Sequence, residues 1–215
     1  MEVDTIDDVT LGKLYEAAES LGTREVQDRN KTLLGVFEHT GARLDEVRNL
    51  TTACVLIAFH VAGEGDMVML PLRCAKVSKG SLARDNRDVA VSYKKVVPVP
   101  KNIVATWVEY IHTSRAACIK NSEVDDCGYL FIDTTTGQKL TKGSLRGIMQ
   151  QLSDAAGIAA SVTPRMIRNR LLLKICRAKS KAFIVSFQSM LGHTRYDVLK
   201  YYLNLNDANS RRPKD

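Results

Sequence analysis

The sequence predicts an α+β domain, mostly helical, with a small three-stranded antiparallel sheet between two groups of helices. Three observations predict it. Apolar residues recur at helical spacing near both ends of the chain, while short β-branched runs broken by Gly and Pro fill the middle. The order is therefore helices, sheet, helices, with no internal repeat. Hydrophobic residues make up 45% of 215, enough for one sizeable core.

The elements follow in order. Residues 1–10 read as a flexible lead-in or linker remnant. Leu14, Ala17, Ala18 and Leu21 share one face of a first helix, Leu11–Leu21. Leu33, Leu34, Val36 and Phe37 mark a second, Arg24–His39, with Gly41 as its stop signal. Leu44, Val47 and Leu50 mark a short third. The runs Cys54–Val61 and Met67–Cys74, broken by Gly63-Glu64-Gly65, read as two strands joined by a turn. A third strand falls at Tyr93–Val99, and Lys76–Arg87, with four basic residues, reads as a long hairpin tip. Ile103, Val104, Trp107, Tyr110 and Ile111 form the face of a further helix, and Gly128–Ile132 is short and extended. Leu145, Ile148, Met149 and Leu152 form another helix, ended by Gly157. Thr163-Pro164 reads as an N-cap with proline at the first helical position, opening a helix to Ala178. Helices over Phe183–Leu191 and from Thr194 complete the domain, 11–204, before a basic tail, 205–215.

Composition narrows the function. The formal charge is +7 and the pI about 9.2, which favours a polyanionic partner, nucleic acid being the commonest. A basic solvated surface explains the charge equally well on its own. Positive charge is dense from Arg165 to Lys181, whereas the first eight residues carry three Asp and one Glu. No apolar run reaches membrane-spanning length, and MEVDTIDDVT lacks the apolar centre of a secretory signal. The five cysteines, Cys54, Cys74, Cys118, Cys127 and Cys176, show no CxxC spacing. They read as small buried thiols in a reducing, intracellular compartment, with neither disulfide framework nor metal site.

Four pieces carry chemistry. In Thr40-Gly-Ala-Arg43-Leu-Asp-Glu46, the helix-ending glycine gives Arg43 a fixed base, its planar fork can hold two phosphate oxygens, and Glu46 is placed to orient it. In Thr163-Pro-Arg165-Met-Ile-Arg168, two arginines three apart share a helix face near an N-terminus, where the dipole also favours an anion. In Leu191-Gly192-His193, glycine lets the chain turn and present an imidazole that can donate to a phosphate oxygen or move a proton. Tyr202 follows nine residues later on a short amphipathic helix. Each alone has a plainer reading: surface arginines, a structural histidine, a core tyrosine. Nothing in single-residue chemistry chooses among Tyr196, Tyr201 and Tyr202.

Taken jointly and in this order, the pieces resemble the tyrosine recombinase family, the phage integrases and their relatives. TGAR-LDE is similar to that family's first arginine box, VTPRMIR to its histidine-x-x-arginine box, and LGHTRYDVLKYY to its LGH box with the nucleophile at the usual spacing. VVPVPK before a helix, GYLF after it, and Gly157-Ile158 ahead of the second box agree. The resemblance covers Leu11 to Asn204 and implies the tyrosine recombinase catalytic-domain fold. It implies Arg43 and Arg168 as the two catalytic arginines, His193 as the LGH histidine, Tyr202 as nucleophile and Glu46 as an acidic supporting residue. Tyr201 is one residue short of the usual spacing. The family also has a lysine in the loop between the second and third strands. Lys76 and Lys79 both lie there, and Lys76, which directly follows the strand, is favoured.

The implied reaction is transesterification. Tyr202 attacks a DNA phosphodiester and is joined to the 3′-phosphate, a 5′-hydroxyl leaves, and Lys76 protonates it. The arginines and His193 offset the charge that builds on the non-bridging oxygens. Neither metal nor nucleotide cofactor is required. The implied partner is double-stranded DNA, with a homotetramer assembled on it and a monomer as the alternative for an isolated domain. The family's second, helical DNA-clamping domain has no counterpart in these residues, so a fragment or an unusually short protein is expected. One departure stands out. Where the family has histidine three residues before the second arginine, this chain has Arg165. A permanent cation can hydrogen-bond a phosphate but cannot accept the tyrosine proton. Two rivals remain: a type IB topoisomerase, which Arg165 favours, and a non-catalytic DNA-binding protein that retains the fold. Viral, mobile-element and chromosomal roles all fit, in cytoplasm and nucleoid or in a host nucleus depending on the source.

Overall fold

A computed structural model describes residues 4–73 and 93–178. Its elements are helices α1 (Asp8–Ser20), α2 (Arg24–Thr40), α3 (Leu44–Arg48) and α4 (Thr52–Val61), strands β1 (Met67–Arg73) and β2 (Tyr93–Pro100), and helices α5 (Lys101–Tyr110), α6 (Ala116–Ser122), α7 (Lys142–Ala155) and α8 (Pro164–Ala178). A π-helical turn, Ile111–Arg115, joins α5 to α6. No helix among the described residues is long and apolar enough to cross a membrane.

The first two helices have clear local causes. The Asp7 carboxylate accepts the Thr10 N–H at 2.7 Å and caps α1, whose Leu11, Leu14, Ala17 and Ala18 are buried. The helix thus starts at Asp8, three residues before its apolar face begins. Helix α2 buries Leu33, Leu34, Val36 and Phe37 and stops at Gly41, whose φ of 55° puts it in the left-handed region. Thr40 secures this end twice: its hydroxyl donates to the Val36 carbonyl and accepts the Ala42 N–H at 3.1 Å.

The described residues hold two strands of the expected sheet. They pair antiparallel from Met67 opposite Pro100 to Leu72 opposite Lys95, and then the register slips so that Arg73 faces Tyr93. The run Cys54–Val61, expected as a strand, is helix α4. Its apolar residues fit either structure, and two features decide for helix. Thr51 accepts the Cys54 N–H at 3.2 Å and caps it, and Val55 and Ala58, three apart, turn one side inward against β1. The expected hairpin tip and the helices expected after Ala178 lie outside the described residues.

One core joins these elements. Val68, Leu70 and Leu72 from β1 and Val97 and Val99 from β2 pack with α5, which brings Val104 and Trp107, and share one cluster with the inner faces of α1, α2 and α7. Helix α8 adds Ile167 and lies against α2. The loop before α7 is pinned by isolated bridges, Thr51 to Tyr129 and Ile132 to Lys139. Arg115 reaches back from the π turn to the Asp126 carboxylate and the Tyr129 carbonyl. Cys118 and Cys127 are free thiols. The net effect is to bring the end of α2, the start of α3 and the start of α8 to one place.

Candidate active site

Arg43 is the N-cap of α3, directly after the Gly41 reversal. Its own amide N–H donates to Glu46 Oε2 at 2.8 Å, and its Nη1 donates to Glu46 Oε1 at 3.1 Å. Both ends of Arg43 are thus held by one carboxylate, the acidic half of a capping box. The Arg43 side chain remains 35% exposed, while that of Glu46 is 2% exposed.

Helix α8 supplies the other arginines. Thr163 Oγ1 accepts the Met166 N–H at 3.3 Å, and Pro164 takes the first helical position. Arg165, in the first turn, is exposed, whereas Arg168, one turn on, is buried. Arg168 Nη1 donates to the Gly41 carbonyl at 2.6 Å, which fastens α8 to the end of α2. Further along, Asn169 donates to the Asp4 carbonyl, and Arg170 bridges Asp8 and Glu38.

These residues surround a cleft of about 660 Å³. Arg43, Arg165 and Arg168 line it together with Arg146 from α7, and among the described residues Asp4 is the one carboxylate that lines it. Four guanidiniums against one carboxylate, beside a helix N-terminus, make a cleft suited to an anion with several oxygens. Lys76, Lys79, His193, Tyr196, Tyr201 and Tyr202 lie outside the described residues.

Two residues of this region escaped sequence reasoning. Arg146 is an exposed cation on the polar face of an amphipathic helix, with no signal that distinguishes it from a solvated one. Lys95 did leave a signal. It alternates with Val97 and Val99 on the buried face of β2, a position where an unpaired charge is costly. Its Nζ lies 3.2 Å from Glu46 Oε2, with the side chain fully buried.

The electrostatics follow from this packing. Burial pulls the Lys95 ammonium down to about 8; Glu46 opposes that shift, while Arg168 and Arg43 add to it. For Glu46, burial works to raise the pKa. The charge of Lys95, the Arg43 amide hydrogen bond and the charges of Arg43 and Arg168 outweigh it and hold the carboxyl below its ordinary value. Glu46 is therefore an anion that anchors cations. Among the described residues no group of three or more His, Cys, Asp or Glu could hold a metal ion.

The chain is 25% identical over 185 residues to tyrosine recombinase XerC of Roseiflexus sp. (strain RS-1), covering 86% of this chain and 50% of that protein. It is 26% identical over 180 residues to tyrosine recombinase XerD of Oceanobacillus iheyensis, covering 84% and 51%. The chain thus spans about half the length of these relatives. Its fold is similar to that of XerH site-specific recombinase, solved bound to difH substrate in a pre-cleavage complex. The TM-score is 0.66 at 18% identity, over 97% of this chain and 53% of that one. The profile of the phage integrase family matches residues 5–209, nearly the whole chain, and the chain belongs to that family.

Proposed function

We propose that the chain is the strand-transferring part of a site-specific DNA recombinase, with Tyr202 as nucleophile. The observation that carries this reading is the convergence of Arg43, Arg165 and Arg168, from two motifs more than a hundred residues apart, around one cleft. Attack of a hydroxyl on a phosphodiester adds charge to the non-bridging oxygens. Guanidiniums already fixed by Glu46 and by the Gly41 carbonyl can meet that charge without reorganising.

In the proposed reaction a bond forms between the Tyr202 hydroxyl oxygen and phosphorus, and the bond from phosphorus to the 5′-oxygen breaks. The 5′-hydroxyl leaves with a proton from Lys76, and His193 joins the arginines on the phosphate. Attack by a hydroxyl of a second duplex reverses the step and completes exchange. No metal or nucleotide cofactor takes part. Arg165 adds charge to the cleft but takes no proton, so the tyrosine proton passes to another group. The partner is double-stranded DNA, and exchange between two duplexes calls for an assembly of several copies.

The test is covalent trapping from a pool of nicked duplexes with a randomised centre, in which a short 5′-fragment diffuses away after cleavage. Recovered duplexes then enter a two-site exchange assay and a plasmid relaxation assay. The recombinase reading expects an adduct and exchange between sites. Relaxation without exchange would favour a type IB topoisomerase, and no adduct with any duplex would favour a DNA-binding protein without strand transfer.

A further inference from the structure

The buried ammonium beneath the cleft has no place in the reaction described so far. Lys95 is on the inner face of β2, where its neighbours in the alternation are Val97 and Val99. Any apolar side chain would bury there more easily, since a charge in this position must be matched or lost. The match is Glu46 Oε2, the same oxygen that takes the Arg43 amide N–H. The register slip between Leu72 and Arg73 falls directly beside Lys95, where such irregularities re-aim a side chain.

We propose that Lys95 is a positioning residue, which through Glu46 holds Arg43 at the mouth of the cleft. Three of the contacts on this carboxylate divide the work. Lys95 meets the negative charge from the protein side. The Arg43 amide fixes the start of α3, and the Arg43 guanidinium takes the outer oxygen. Without Lys95, more of the Glu46 charge would fall to the arginines beside it, Arg43 above all, drawing a guanidinium inward and cancelling part of the cleft's positive potential. With Lys95 in place the carboxylate is already compensated, and Arg43 keeps its charge for an anion in the cleft. Among the described residues, the charged groups that bear on Lys95 are Glu46 from α3, Arg43 at its cap and Arg168 from α8. Its ammonium is therefore set against Glu46, close to two of the arginines that line the cleft.

The proposal rests on the recombinase reading for what Arg43 does, but not for what holds Arg43. Its experiment therefore has two arms, run on the full chain. The first measures the rate of adduct formation on a trapped duplex at saturating DNA, for Lys95→Met, Lys95→Arg, Glu46→Gln and the double variant. A displaced arginine predicts a rate roughly 10- to 100-fold lower in Lys95→Met, with duplex affinity within about threefold of the parent. Lys95→Arg should recover most of the rate. Because Lys95 acts through Glu46, adding Lys95→Met to Glu46→Gln should change the rate by no more than about twofold. The double variant also removes both buried charges together, so it folds if the single one does not. The second arm follows the Arg43 Nε–Hε resonance by NMR without DNA. It should move in Lys95→Met, return in Lys95→Arg, and titrate in the parent as Lys95 loses its proton.

An unchanged rate in Lys95→Met, or a full additional loss in the Glu46→Gln background, would overturn the proposal. So would an Arg43 resonance that does not move. If even the parent forms no adduct, the recombinase reading fails, and the NMR arm alone still decides whether Lys95 positions Arg43.

Discussion

The Arg168 guanidinium donates to the Gly41 carbonyl at 2.6 Å, across 127 residues of chain. This bond ties the second arginine motif to the turn that carries the first. It brings Arg43 and Arg168 to the lining of one cleft. Gly41 can offer its carbonyl this way because its φ of 55° ends α2 abruptly.

Arg168→Ala should therefore damage both stability and activity. Loss of a charged donor to a buried carbonyl costs about 2 kcal/mol, read as a lower urea midpoint. Arg168→Lys should restore part of the stability and little of the strand cleavage, because an ammonium cannot span carbonyl and phosphate as a planar fork does. Gly41→Ala tests the same joint from the other side. A side chain in the left-handed region costs about 1–2 kcal/mol, and thermal unfolding should show it.

Glu46→Gln should be among the most destabilising single changes near the site. It leaves Lys95 buried without its counter-charge, which costs about 3 kcal/mol. The cost should depend on pH in a definite direction. The Glu46 carboxyl is held below its ordinary value of 4.5, so its contribution is complete above that pH and is lost as the pH falls through the lower, folded value. Urea midpoints of parent and variant, measured between pH 7 and pH 3 or so, should converge on the acid side. Parallel curves would mean that the Glu46 charge contributes nothing to stability.

Arg146→Ala should leave stability within about 0.5 kcal/mol of the parent, because the side chain is exposed. If it meets a phosphate at the cleft edge, affinity for any duplex falls alike and the slope of log K against log salt drops by about 0.9. A change confined to one sequence would instead point to base contact.

The fold was legible wherever a periodic face coincided with a cap or a stop. Helix α8 opens at Thr163-Pro164 and α2 stops at Gly41, as their signals indicate. The misread segment, α4, is apolar on almost every side, so neither period stands out, and the signal its sequence does hold is the Thr51 cap. At the site, Arg43, Arg165 and Arg168 were placed by motif, and the structure gathers all three. Lys95 was missed because its function is relational. Its partner Glu46 lies 49 residues away, and only strand register brings the two together. Lys76, His193 and Tyr202 fall outside the described residues.

The central claim, that this arginine cleft serves a tyrosine nucleophile, is tested most directly by peptide mapping of the covalent adduct. The adduct trapped on a nicked duplex would be digested with protease and nuclease and its modified residue located by mass spectrometry. The account predicts a nucleotide on Tyr202, complete loss of adduct in Tyr202→Phe, and a severe loss in Arg43→Ala and Arg168→Ala despite retained DNA binding. A nucleotide on Tyr201 or Tyr196, or an adduct that survives in Tyr202→Phe, would contradict it.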